Sequence, residues 1–180
     1  MPSCPVAVTR ACGLKLDAAT ASMFPLTVSR PLVIVNSGPD MVPRSLKVKL
    51  AFASRLMLLR LLGPRRFAAA IARRLFPKPE QAALREQVAA RLGSNAPDVY
   101  LRATRGLMGW SVIDRIGEIA APVLVVSSER DYTPLAAKQA YAAKLRNARV
   151  VELKDSGHAA PADQPQALAE LIQKFIVAPG

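Results

Sequence analysis

Residues 122–131 read PVLVVSSERD, and this stretch determines how the chain folds. The run from Val123 to Val126 is apolar without a polar alternation, which is typical of a strand buried on both faces of a parallel sheet. The polar residues that follow end the run and place Asp131 in a loop just beyond it. The segment therefore predicts an inner strand that presents a carboxylate at its carboxyl end.

Two shorter apolar runs have the same character. Residues 31–36, PLVIVN, and residues 149–153, RVVEL, are predicted strands, and the second is followed by the loop Asp155-Ser156-Gly157-His158. Helical periodicity is predicted over 134–145 and 164–177, so strands and helices alternate in this part of the chain. An α/β fold with a parallel sheet and right-handed crossovers is expected.

The middle of the chain has a different pattern. Apolar residues recur at helical spacing between residues 45 and 109, interrupted by Gly63-Pro64, Pro77, Pro79 and Gly93. These breaks predict four helices, over 45–62, 65–75, 80–92 and 95–107. An amphipathic segment is also expected at 113–119. Residues 1–30 show no sustained period and are interpreted as an irregular leader.

Asp131 and His158 are the candidate chemical groups. Because the carboxyl ends of neighbouring parallel strands meet at one edge of a sheet, the two side chains are expected within hydrogen-bonding distance. A carboxylate at one ring nitrogen fixes the histidine tautomer and stabilises the imidazolium formed when the other nitrogen takes a proton. Considered separately, each residue has a simpler interpretation, His158 as a surface or capping histidine and Asp131 as a helix-initiating acid.

Together these residues resemble the α/β-hydrolase family. Residues 119–131, IAAPVLVVSSERD, look like its "I..PvLvi.G..D" segment, and residues 155–165, DSGHAAPADQP, look like its "..GH....e.P" segment. Ser128 stands where a glycine is common. The resemblance implies a partial α/β-hydrolase core at 31–44 and 110–180, and a helical cap or lid at 45–109.

The resemblance also implies a reaction. His158 would act as general base and then general acid, Asp131 would orient it, and the substrate would be an ester, a lactone or a similar small acyl compound. Apolar cap residues would form a roof over His158, although ordinary core packing is an alternative role for them. The candidates for this roof are Leu56, Met57, Phe67, Phe76 and Met108.

A nucleophile is not evident in the sequence. Hydrolases of this type use Gly-x-Ser-x-Gly on a strained strand-to-helix turn, and the 180 residues contain no such motif. Ser37 follows a predicted strand and is a weak substitute, because Val35 and Pro39 are poor neighbours for that turn. The first strands, the oxyanion-hole loop and the nucleophile elbow are not recognised. We therefore expect the C-terminal part of a hydrolase, produced by a truncated gene, by a shifted reading frame before Pro31 or as a naturally shortened protein. We expect weak activity or none, and self-association through uncovered sheet edges.

Charge and composition define the alternative. The net charge is +12, but the cations are dispersed among leucines and alanines, which disfavours a nucleic-acid partner. Basic amphipathic helices over 45–75 suggest a non-catalytic protein that binds a membrane surface or a protein partner, whereas a solvated lid face is the favoured interpretation. One histidine and two cysteines provide no zinc-type ligand set, so neither a metal nor another cofactor is expected. Without a recognisable secretory signal, the expected location is cytoplasmic.

Overall fold

Three parallel strands form the centre of the molecule. The computed structural model describes residues 30–177, so nearly all of the predicted leader lies outside the described residues. The strands are β1 (Leu32–Val35), β2 (Val123–Arg130) and β3 (Ala148–Gly157), arranged in the order β1-β2-β3. Strand β2 pairs in parallel with both β1 and β3, which confirms the predicted α/β architecture.

Helices occupy the long connection between β1 and β2 and the segments around β3. The helices are α1 (Leu46–Leu75), α2 (Ala82–Gly93), α3 (Pro97–Leu107), α4 (Leu135–Ala142), the one-turn α5 (Ala160–Asp163) and α6 (Pro165–Val177). Short 3₁₀ turns lie at Pro79–Gln81 and Ile116–Glu118. The second of these turns is the only helical part of the amphipathic segment predicted at 113–119.

Helix α1 joins two predicted helices through a kink. Ser45 caps its start by accepting a hydrogen bond from the Val48 amide, as expected for serine at this position. Gly63 interrupts the helix with φ 72° and ψ 168°, a conformation in which a side chain would be strained. Pro64 then opens the second half, where the absence of an amide hydrogen costs little. The predicted break is therefore a change of direction.

The apolar side chains of β2 alternate between two packed layers. Val123 and Val125 face Tyr141 and Ala142 of α4, whereas Leu124 and Val126 face the layer that contains Leu168 of α6. The four strand residues are almost completely buried, and each contributes roughly 1.5–3 kcal/mol by leaving water. Packing on both faces fixes β2 in place, and with it the loop that carries Asp131.

Strands β2 and β3 are longer than predicted. The residues Asp155 to Gly157 were expected in a loop, but they continue β3, and Arg130 pairs with Gly157 after a register shift. Ser128 and Ser156 are both buried and their hydroxyls lie 3.0 Å apart, which supplies polar partners inside this extension. Arg130 of β2 and Gly157 of β3 are paired, and Asp131 and His158 are the next residues on these two adjacent strands.

Within residues 30–177, no helix has both the length and the apolar character needed to cross a bilayer.

Candidate active site

His158 and Asp131 are in direct contact. His158 Nδ1 lies 2.5 Å from Asp131 Oδ1, so the imidazole and the carboxylate are joined by a short hydrogen bond. The Asp131 side chain is inaccessible to solvent, whereas the His158 side chain is 41% exposed. A buried carboxylate thus holds one ring nitrogen, and no described residue forms a hydrogen bond with the other nitrogen, Nε2.

The second carboxylate oxygen of Asp131 contacts Lys138. Lys138 Nζ donates to Asp131 Oδ2, and the lysine side chain is fully buried. Burial tends to raise the pKa of the Asp131 carboxyl, but the hydrogen bonds from Lys138 and His158 outweigh it and lower the pKa below its usual value. The carboxylate is therefore held in its charged form between two basic side chains.

An aromatic and a cationic side chain stack beside the imidazole. The ring of Tyr132 lies 4.6 Å from that of His158, measured between centroids. The guanidinium of Arg74, at the end of α1, lies 4.8 Å from the Tyr132 ring, within the range of a cation–π interaction. This stack restricts the ring of His158 and connects the helical segment to the site.

Asn36, at the end of β1, links the three strand ends. Its amide nitrogen donates to Ser128 Oγ at 2.8 Å, to the Gly157 carbonyl at 3.2 Å and to the His158 carbonyl at 2.9 Å. Its amide oxygen accepts from the Ser128 amide at 2.7 Å. Ser128 is buried in this network within β2. The network fixes the backbone of His158.

A set of polar contacts ties the α1–α2 connection to the end of β3 that precedes His158. Asp155 forms ion pairs with Lys78 and with Arg130, and both cations lower the pKa of its carboxyl. Asp163 accepts from the Gly157 amide at 2.6 Å and from the Gln81 side chain at 2.5 Å. Side chains of the helical segment and of the chain on either side of His158 therefore join the two parts of the structure.

Ser37, the candidate nucleophile, is exposed and lies one residue beyond Asn36. Its backbone carbonyl accepts a hydrogen bond from the Tyr141 hydroxyl at 3.0 Å. Among residues 30–177, no hydrogen bond joins Ser37 to His158. The structure therefore places this serine near the sheet edge that carries the pair but does not connect it to the histidine.

The predicted roof residues have different environments. Phe67 and Phe76 are buried, whereas Met57 and Met108 are exposed and Leu56 is half-buried. An apolar cleft between the helices includes Phe67 among its lining residues, together with Leu59, Ile71, Leu92 and Tyr100. The other four candidates do not line this cleft.

Lys138 and Asn36 were not predicted from the sequence as site residues. A signal for Lys138 was present, because it shares the apolar face of α4 with Tyr141 and Ala142, three and four residues later. A lysine on such a face needs a buried anionic partner. Asn36 gave only the signal of a polar residue at the end of a strand. Among the described residues, no group of three or more potential metal ligands is present.

The sequence also matches a known family over most of its length. The model of the alpha/beta hydrolase family matches residues 6–171. The chain belongs to the alpha/beta hydrolase family. The matched region begins within residues 1–30, upstream of the point at which the sequence motifs are recognisable.

Solved structures show the same alpha/beta hydrolase fold. The enol-lactonase from Burkholderia xenovorans LB400 is 18% identical with a TM-score of 0.73, and the match covers 89% of this chain and 62% of that one. A thermophilic esterase from Thermogutta terrifontis is 21% identical with a TM-score of 0.66, covering 81% and 54%. For the esterase from Exiguobacterium antarcticum the identity is 12%, the TM-score 0.71 and the coverages 82% and 57%. This alpha/beta hydrolase chain therefore spans between 54% and 62% of the length of these structures.

Proposed function

We propose that the chain carries the acid and the base of a hydrolase that acts on an ester, a lactone or a similar small acyl compound. The observation that carries this proposal is the Asp131–His158 hydrogen bond of 2.5 Å, in which the carboxylate is buried and the imidazole reaches solvent. Such a pair is suited to moving a proton between an attacking hydroxyl group and a leaving oxygen.

In the proposed reaction, Asp131 holds Nδ1 protonated and leaves Nε2 to accept a proton. Nε2 takes the proton of the attacking hydroxyl, and the adjacent carboxylate stabilises the imidazolium that results. The same proton is then delivered to the leaving oxygen, so His158 returns to its neutral form. The stack with Tyr132 keeps the ring in a fixed orientation during both transfers.

The proposal assigns separate roles to two parts of the chain. Residues 31–44 and the described part of 110–180, which ends at residue 177, form the part of the hydrolase core that presents the acid and the base. Residues 45–109 form a cap that excludes water from a small acyl substrate. The ion pair between Lys78 and Asp155 supports a cap that contacts the end of β3 just before His158.

The source of the nucleophile limits the activity proposed for this chain. No Gly-x-Ser-x-Gly motif is present, and the members of a catalytic triad act as a unit. We propose weak hydrolysis by the chain in isolation, with water or Ser37 as the attacking group. The length relative to the solved structures is consistent with a piece of the machinery of those enzymes.

Turnover of p-nitrophenyl acetate tests the proposal. We expect slow release of p-nitrophenolate by the wild-type chain and a fall to the uncatalysed rate in His158→Ala and Asp131→Asn. The Ser37→Ala variant separates the two attacking groups, because only a serine mechanism loses activity in it. A paired mass measurement after treatment with an organophosphate would locate a reactive serine.

The control addresses acylation of surface amines by the same reagent. Lys144→Ala removes an exposed lysine close to α4 and is expected to leave the rate unchanged. If wild type and His158→Ala release product at the same rate, the acid and base assignment is wrong for this chain.

A second candidate function rests on the first half of α1. Leu46, Leu50, Met57 and Leu61 recur at spacings that place them along one side of the helix, and each is more than half exposed. Between Leu46 and Leu75 the sequence has eight lysines and arginines and no acidic residue. An exposed apolar stripe beside cations is typical of helices that lie on anionic membrane surfaces.

Co-sedimentation with vesicles of phosphatidylcholine and phosphatidylserine tests this second function. We expect binding at low salt that weakens as ionic strength rises, because the attraction between cations and lipid is screened. The variant Leu50→Ser/Leu61→Ser should bind less well while melting like the wild type, since both side chains are exposed. Absence of binding to anionic vesicles at low salt would remove this function.

A further inference from the structure

Lys138 is a buried cation whose side chain has no exposed surface. Its ammonium group donates to the Ser127 hydroxyl at 3.1 Å and to the Thr133 carbonyl at 3.2 Å, and its third partner is Asp131 Oδ2. An ammonium group has three hydrogens, and all three are accounted for by these acceptors. A buried lysine is costly unless it is paired, so this arrangement requires the Asp131 carboxylate.

The two oxygens of Asp131 are divided between two partners. Oδ2 accepts from Lys138, and Oδ1 lies 2.5 Å from His158 Nδ1. Rotation of the carboxylate plane away from this orientation would break both contacts, so the lysine helps to hold the plane with one oxygen facing the histidine. Helix α4 carries Lys138 and packs against β2, and the anchor is therefore as rigid as the core.

We propose that Lys138 is a positioning residue that fixes the Asp131 carboxylate and offsets its charge, so that His158 functions as a base at lower pH than a carboxylate–histidine pair alone would allow. This inference rests on the proposed function for its meaning in catalysis. The contacts on which it stands are independent of turnover.

The direction of the effect follows from the charges. An isolated buried carboxylate would strongly favour the imidazolium form of His158, which would keep a base protonated near neutral pH. A cation on the second oxygen reduces that attraction. The titratable or charged groups around the pair, taken from every element packed against it, are Asp131, Tyr132, Lys138, Tyr141, Asp163 and, through Tyr132, Arg74.

The experiment uses the single histidine of the chain as its reporter. The ring proton resonances of His158 can be followed by NMR from pH 4 to pH 9 without ambiguity of assignment. In Lys138→Met, which keeps an unbranched side chain but removes the ammonium group, we expect the titration midpoint to rise by about one pH unit, the size of shift that a nearby charge produces. Lys144→Met, an exposed lysine just after α4, should leave it unchanged.

A midpoint in Lys138→Met that equals or falls below that of the wild type would overturn the proposal. If Lys138→Met does not fold, the double variant Asp131→Asn/Lys138→Met provides the decision, because it removes both buried charges together. Recovery of cooperative melting in the double variant supports the buried pairing. If Asp131→Asn alone folds but the double variant does not melt cooperatively, the proposed pairing of Lys138 with Asp131 is overturned.

The outcome can be separated from that of the proposed function. The NMR titration needs no turnover, so a chain that does not hydrolyse p-nitrophenyl acetate can still show the shift. Where turnover depends on His158, the acid limb of its pH profile should move upward in Lys138→Met. Turnover that depends on His158 with an unmoved titration would leave the proposed function intact and contradict the role of Lys138.

Discussion

At the scale of single residues, Asn36 connects more of the site than its sequence position indicates. It is buried, it has a φ of 48°, and its amide contacts the strand end that bears Ser128 and the backbone at Gly157 and His158. Asparagine tolerates this left-handed conformation better than most residues do. The side chain thus combines a backbone preference with a set of hydrogen bonds.

We expect Asn36→Ala to destabilise the protein by about 2–3 kcal/mol, because it removes buried hydrogen bonds and places alanine at a positive φ. Urea unfolding followed by circular dichroism measures the change. Asn36→Gly separates the two causes, since glycine tolerates the backbone but makes none of the contacts. An Asn36→Gly variant as stable as the wild type would show that the hydrogen bonds contribute little. Asn95→Ala, at an exposed position, is the matched control and should change stability by no more than about 0.5 kcal/mol.

The residues that could be predicted were those with a motif around them. Asp131 and His158 each follow an apolar strand, and the rule that strand ends share an edge brought them together before the structure did. The contact between Lys138 and Asp131 could not be predicted in the same way. Lys138 lies in α4 and Asp131 lies in the loop before it, so their contact and the burial of the lysine depend on how α4 packs. Ser37 also follows a strand, but among the described residues its hydroxyl forms no hydrogen bond with His158.

At the scale of elements, α4 is joined to the end of β1 by one side chain. The Tyr141 hydroxyl donates to the Ser37 carbonyl at 3.0 Å. Burial, and to a lesser extent the Asp131 carboxylate, raises the pKa of Tyr141 to about 12. An ordinary tyrosine in the unfolded chain ionises near pH 10.

This difference predicts a loss of stability at alkaline pH. Between the two values the folded state retains a proton that the unfolded state loses, so stability falls as pH rises from about 10 through about 12. Tyr141→Phe should remove that contribution. Between pH 9 and pH 12 the free energy of unfolding of the wild type should therefore fall by about 2 kcal/mol more than that of the variant. Thermal melting of both proteins at several pH values measures it. If the melting temperatures of the two proteins differ by the same amount at every pH, Tyr141 does not cause the alkaline loss of stability.

The elements themselves were largely predictable because their signals are local. Apolar runs gave β1, β2 and β3, and the proline and glycine breaks gave the helices between them. The carboxyl end of β3 was not predicted, because residues 155–157 are polar and read as a loop. They remain in the sheet through Arg130, the side chain of which contacts both the carboxylate and the carbonyl of Asp155. Such support depends on a residue more than twenty positions away.

At the scale of the whole molecule, the sheet has two edges. Strands β1 and β3 each pair with β2 alone within the described residues, and all four residues of β1 are only partly buried. Unpaired strand edges can recruit other chains. Exposed leucines on α1 add to the apolar surface of the molecule.

We expect self-association that increases with protein concentration. Sedimentation velocity over a hundredfold concentration range is the measurement, and the sedimentation coefficient should rise across it. The variant Val33→Pro tests whether β1 is the contact. The Leu32 and Asn36 amides donate to β2, so the Val33 amide points to the opposite side of β1, and its loss leaves the pairing with β2 intact. Weaker association of Val33→Pro than of wild type would identify β1 as the contact. A monomer at every concentration would contradict the prediction.

The relation between the helical segment and the sheet was the least predictable feature at this scale. A block of helices between two strands suggested a cap, but its seat depends on Lys78, Gln81 and Asp163, which have no distinctive spacing. These contacts exist only after the chain has folded back by nearly eighty residues. Local sequence patterns carry no information about such pairs.

The Asn36 network also has a consequence for the order of folding. Its hydrogen bonds join residues separated by 92, 121 and 122 positions, so the chain must close very long loops before the site exists. Contacts of such long range form slowly, because loop closure has an entropic cost that is not offset until the strands have paired. Local helices can form first, and during synthesis the site must wait until the ribosome has released the segment around His158. The Asp131–His158 pair and the Asn36 network that surrounds it are therefore late products of folding, complete only when β1 and β3 both lie beside β2.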